Sequence, residues 1–105
     1  QSEFILLVNL LHLISWNEAE ILIGELSKAL QTNGIAFIYG PFMRNAKLTS
    51  EGDTSFHNSL IRADPDIGYK NDLDMVELFS NSGLLHLETV EMPANNLVFV
   101  LRKDS

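Results

Sequence analysis

The chain contains no cysteine, which removes a disulfide framework and any thiolate metal site and fits a reducing compartment. Basic residues are scarce: seven Lys and Arg stand against fourteen Asp and Glu, for a net charge of -7. A sequence-independent hold on nucleic acid or on an anionic membrane needs Lys/Arg patches, and no basic run supplies one. The first apolar run, Phe4 to Leu11, is too short to span a bilayer and has neither a basic flank nor a signal-type cleavage pattern. No G-x-S-x-G or other nucleophile motif occurs. The three histidines, at 12, 57 and 86, lack the i, i+4 spacing of a helical metal pair, so no metal site is expected. The six glycines, at 24, 34, 40, 52, 68 and 83, contain no G-x-G. The expectation is a cytoplasmic protein with no nucleic-acid or membrane partner.

At 105 residues and 46% hydrophobic content the chain makes a single domain, 1–105, with enough apolar material for a core. It opens on Gln1 without an initiator methionine. A trimmed leader and a missing half-domain both account for that.

Apolar residues 35–38, entered from Asn33-Gly34 and stopped by Gly40-Pro41, read as an interior strand covered on both faces. Phe4 to Leu11 shows no alternation and reads the same way. Between them Ser15-Trp16-Asn17-Glu18 has the spacing of a capping box, and Ala19, Leu22, Ile23, Leu26, Ala29 and Leu30 form one helical stripe. Gly34 is expected to end that helix in the left-handed conformation. Strand, helix, strand at this spacing is a βαβ unit, whose two strands open on one sheet edge.

Residues 43–71 are mostly polar and are expected to form a flap or lid. Ser50-x-x-Asp53 caps a short helix there carrying Phe56, Leu60 and Ile61, which Asp64-Pro65 ends. A second helix over about 72–82 turns Leu73, Val76, Phe79 and Leu78 inward and closes at Gly83. The runs 84–92 and 97–101, joined by Pro93-Ala94-Asn95-Asn96, read as an antiparallel hairpin. The expected fold class is α/β: β-α-β-(flap)-α-β-β, a mixed sheet with a terminal hairpin.

This order resembles the C-terminal half of the Rossmann-like, S-adenosylmethionine-dependent methyltransferases. The set Asn9-Leu10-Leu11-His12-Leu13-Ile14-Ser15-Trp16, Tyr39-Gly40-Pro41-Phe42, Thr49-Ser50, Phe56, residues 59–68 and Met92-Pro93-Ala94-Asn95-Asn96-Leu97 resembles the methyltransferase-like protein 26 family over nearly the whole chain. Two positions depart from that family: Tyr69-Lys70 follows Gly68 where an Arg is usual, and His57 follows Phe56 where an Asp is usual. The family's first half, with its glycine-rich turn and acidic residue, has no counterpart in this sequence.

The resemblance implies methyl transfer from S-adenosylmethionine to a small-molecule or other unknown acceptor in a longer polypeptide. His12, just past the first strand, and Tyr39 are the expected catalytic residues, orienting or deprotonating the acceptor. Trp16, Gly40, Pro41, Phe42, Arg44, Arg62 and Asn95 are the expected substrate-binding residues, and Asn9 the cofactor-binding one. Trp16 serves equally as a core residue, Arg44 and Arg62 equally pair with Glu51, Asp64 or Asp66, and Asn95 is equally a turn residue. A second reading has no catalysis: a module that forms a homodimer through the exposed edge of its first strand.

Overall fold

The computed structural model describes residues 1–104. Strand β1 (Ser2–Val8) leads through a single 3-10 turn, Leu11–Leu13, into helix α1 (Trp16–Ala29) and strand β2 (Leu30–Pro41). Helices α2 (Glu51–Ala63) and α3 (Asp72–Asn81) come next, then strand β3 (Leu84–Met92), a 3-10 turn at Pro93–Asn95, and strand β4 (Asn96–Lys103). The sheet runs β1-β2-β4-β3, with β1 parallel to β2 and β4 antiparallel to both of its neighbours. The mixed α/β architecture with a terminal hairpin is the one expected from the sequence.

The capping box of α1 is present in full: Ser15 Oγ accepts from Glu18 N at 3.1 Å, and Ser15 N donates to Glu18 Oε1 at 2.9 Å. Ala19, Ile23 and Leu26 are buried along one face of that helix, and Met75, Leu78 and Phe79 along one face of α3. Both rows join one core with Ala36, Ile38, Leu84, Phe99 and Leu101 of the sheet. Phe99 is its centre, with Phe42 and Phe79 packed edge-on at 4.9 and 5.2 Å. A polar tie closes the far end. Lys103 Nζ donates to Ser27 O at 2.7 Å and to Ser27 Oγ at 2.9 Å, and Ser27 Oγ donates to Ser82 O at 2.6 Å.

Three expectations are corrected. The first two strands are covered on one face only, because α1 and α3 lie on the same side. Phe4, Leu6 and Val8 are 52%, 55% and 47% exposed. With Phe37, Tyr39, Val90, Val98 and Val100, Leu6 and Val8 line a shallow apolar concavity of about 690 Å³ on the other side. Second, α1 ends at Ala29, and Asn33, with φ 66°, takes the left-handed conformation expected of Gly34. Gly34 is needed for close approach: a Cβ there would lie 2.8 Å from Gln31 O and 3.1 Å from Ser2 O. Third, Leu73 is 59% exposed and Met75 takes the inward position, since the buried stripe of α3 runs through Met75, Leu78 and Phe79 at helical spacing and Leu73 falls off it.

Candidate active site

The parallel strands β1 and β2 end side by side, with Val8 opposite Tyr39 and Asn9 N donating to Tyr39 O at 2.9 Å. The segments that leave the two strands are therefore brought together at one edge, where open α/β sheets gather their ligands. After β1, the 3-10 turn carries His12 inward until it is 7% exposed. After β2, segment 43–71 folds back so that α2 and the strap 67–70 cover that turn. Gly68 N donates to His12 O at 3.1 Å, and Met43 N donates to Lys70 O at 2.9 Å.

Rings enclose the imidazole. Phe56 lies edge-on to His12 at 5.7 Å and Tyr69 at 6.1 Å, and the two aromatic rings meet each other at 6.2 Å. His57 stands on the far side of Tyr69, ring to ring at 5.6 Å, and its Nδ1 accepts from Tyr69 N at 3.0 Å. That contact leaves no room for a side chain at Gly68, where a Cβ would lie 2.8 Å from His57 Cε1 and φ is +132°. His12 Nδ1 is buried and has no hydrogen-bond partner among the described residues. Burial, and secondarily the Lys70 ammonium, lowers the pKa of His12 below the ordinary imidazole value, and the same two causes in the same order lower that of His57. Both rings are thereby biased toward the neutral form.

Asp53 anchors α2 over this group. Its Oδ1 accepts from the Tyr69 hydroxyl at 2.6 Å, and its Oδ2 accepts from Ser50 at 2.8 Å, Thr49 at 3.2 Å and Asn95 Nδ2 at 3.3 Å. Burial works to raise the Asp53 carboxyl, but these bonds outweigh it and hold its pKa below the usual carboxylate range. Burial and the Asp53 carboxylate together raise the Tyr69 phenol, which stays protonated as a donor. Lys70, 8% exposed, donates to Ile14 O and, at 3.2 Å, to Gly68 O.

Of the residues singled out in the sequence, the structure brings His12 and Asn95 to one assembly, Asn95 through Asp53 and Tyr69. Asn95 is also a turn residue, with φ 62° beside Ala94 at 61°. Tyr39 lies on the uncovered face of the sheet beside Leu6, Val8 and Phe37, so it does not converge with His12. Phe42, 2% exposed against Phe99, is a core residue and walls no pocket. Gly40 and Pro41 are buried at the end of β2, Pro41 opposite Asn96. Trp16, 39% exposed, lines surface grooves with Asn17 and Asp66 on one side and Glu20 and Asp74 on the other. Arg44 pairs with Glu91 at 2.8 Å and donates to Phe42 O at 2.8 Å, a different partner from the acids of segment 43–71, and so ties the β2 exit to β3. Arg62 lies on the outer side of α2, lining a groove with Thr54 and Asn58. Asn9 is exposed at the sheet edge with φ 54°.

Sequence reasoning missed Asp53 as an anchor, Tyr69 and Lys70. The signal available for the last two was their departure from the resembling family's pattern after Gly68.

Solved structures share this arrangement of strands and helices. An O-methyltransferase family 2 protein from Planctomyces limnophilus, in complex with apigenin, superposes with a TM-score of 0.85 at 14% identity, covering 96% of this chain and 30% of that one. Human N-acetylserotonin methyltransferase, in complex with SAM, gives 0.83 at 12% identity, covering 98% and 30%. An O-methyltransferase family protein from Burkholderia thailandensis gives 0.82 at 14%, again covering 98% and 30%. The fold is the methyltransferase fold, and the chain spans about a third of the length of the structures it matches. A family model matches residues 1–103, nearly the whole chain, and the chain belongs to that family, described as protein of unknown function (DUF938).

Proposed function

We propose that this chain is the substrate-side part of an S-adenosylmethionine-dependent methyltransferase, with His12 as the proton acceptor for the group being methylated. The finer likeness to the methyltransferase-like protein 26 family belongs to the same proposal. The observation that carries it is a buried imidazole, biased toward its neutral form and with one ring nitrogen unpartnered, at the carboxyl end of a parallel strand in a methyltransferase fold. An acceptor hydroxyl that gives its proton to that ring is left as an oxygen nucleophile, and the ring becomes imidazolium, which is general base catalysis. Phe56 and Tyr69 keep water from the ring, and α2, as a flap, opens to admit the acceptor.

S-adenosylmethionine supplies the methyl group when bound, but the residues present do not make its site. The sequence has no G-x-G turn, and the glycine at the sheet edge is no cradle: a Cβ on Gly40 would meet Asn9 Oδ1 at an ordinary 3.7 Å. The cofactor is therefore assigned to a longer polypeptide of which this chain is the C-terminal part, with Asn9 as the cofactor-binding residue proposed on this side.

The test is methyl transfer by the longer polypeptide against a panel of small hydroxylated aromatics, apigenin and N-acetylserotonin included. His12→Gln is expected to lower kcat by about 100-fold or more with S-adenosylmethionine binding retained. A longer polypeptide that does not bind S-adenosylmethionine ends the proposal.

A second reading rests on β1 being the terminal strand of the sheet, with Phe4, Leu6 and Val8 exposed on its open face: two copies pair their β1 edges in a two-fold dimer. Sedimentation at micromolar concentration tests this second reading, since a monomer mass excludes the dimer.

A further inference from the structure

We propose that Lys70 is a positioning residue for His12: its ammonium fastens the strap at Gly68 to the main chain just past the turn that carries the ring, and sets a positive charge beside it. This rests on reading His12 as the proton acceptor.

A buried lysine is costly unless its charge is met. Among the described residues no carboxylate lies within ion-pair distance of Lys70, and its partners are two carbonyls, those of Ile14 and Gly68. Gly68 N in turn donates to His12 O at 3.1 Å, so His12, Gly68, Lys70 and Ile14 form a closed circuit of main chain and one side chain. The strap is fixed on its other side as well, because Lys70 O accepts from Met43 N at 2.9 Å and Met43 O accepts from Asp72 N at 3.0 Å. One lysine thus binds the exit of β1 to the segment that leaves β2.

The groups that feel this charge come from three directions: His12 from the turn after β1, His57 from α2 and Glu18 from α1, with Asp53 one residue removed through Tyr69. Asp53 is engaged by Tyr69, Ser50, Thr49 and Asn95, and Glu18 is engaged by the Ser15 amide. Neither neutralises the ammonium by direct contact, although Glu18 pulls it back toward its charged form against the effect of burial. The field of Lys70 falls on the two imidazoles, where it adds to burial in disfavouring their protonation. A neutral ring is the form that accepts a proton, so a strap that needed only to be fastened would not need a cation here.

The experiment is an NMR titration of the histidine Cε1–H signals in the chain carrying Lys70→Met or Lys70→Arg. K70M keeps the bulk and removes the charge. It is expected to raise the midpoints of His12 and His57, while K70R holds both near their starting values. In the longer polypeptide the acid limb of the kcat/KM profile then moves to higher pH in K70M, because the base stays protonated further up the scale. An unmoved His12 in folded K70M overturns the proposal, as does a K70R shift as large as that of K70M, which would assign the effect to packing. Should K70M not fold, the unaltered chain decides: a His12 midpoint at or above the ordinary value of about 6.5 overturns it. Raised midpoints in a polypeptide that transfers no methyl group support Lys70 and remove the function proposed above.

Discussion

The two faces of the sheet carry nearly the same residue types and meet opposite surroundings. On one, Ile38, Phe99 and Leu101 are sealed beneath α1 and α3 and are fully buried. On the other, Phe37, Val98 and Val100 are partly exposed, and Leu6 and Val8 at the edge are open to solvent. A monomeric protein rarely leaves so much contiguous apolar surface uncovered. Apolar strand composition alone thus does not distinguish a face sealed by helices from one left open.

The contrast is broken or sharpened by substitution. Phe99→Ala removes the ring that Phe42 and Phe79 pack against and is expected to cost about 3–5 kcal/mol, read as a lowered denaturation midpoint. Between the faces, at the sheet edge, Tyr69→Phe deletes the hydroxyl bound to Asp53 and is expected to cost about 1.5–3 kcal/mol near neutral pH. Its pH dependence has a definite sign. The folded carboxyl is depressed, so its contribution is present above the unfolded value and lost as pH falls through the folded one. Wild type and Y69F therefore converge in acid, and a gap that stays constant down the acid limb would count against the anchor. On the bare face, Val98→Thr is expected to change stability by no more than about 0.5 kcal/mol. A loss comparable to that of Phe99→Ala would mean that something covers this face in solution.

Much of the fold was legible because its signals are local. Ser15 and Glu18 satisfy each other across one turn, Ser50 caps α2 through Asp53 N at 3.0 Å, and a four-residue join leaves β3 and β4 little choice but to pair. The number of covered faces was not legible, since an apolar strand face reads alike whether or not a helix lies on it. Asn33 and Gly34 illustrate a second limit: both tolerate a positive φ, and only the approach of Gln31 O, with Ser2 O behind it, shows which of them must lack a side chain. The site was half legible. His12 could be placed from the strand it succeeds, whereas Tyr69, Asp53 and Lys70 join it through contacts made across the fold, and no spacing in the sequence encodes those. Phe42 was misplaced for a simple reason: a residue at a strand exit can turn toward the edge or toward the core, and Phe99 offered it a partner.

The strand order β1-β2-β4-β3 has a consequence for biosynthesis. On the ribosome β2 and β3 both emerge before β4, the strand that must lie between them, so β2 can pair early only with β1, and β3 has no neighbour until β4 is made. Phe99, the centre of the core, and Lys103, which reaches back to Ser27, also arrive with that strand. The nascent chain therefore carries two unmatched strand borders until translation has passed β4, a window in which it is exposed to misassembly and in which holding chaperones have most to bind.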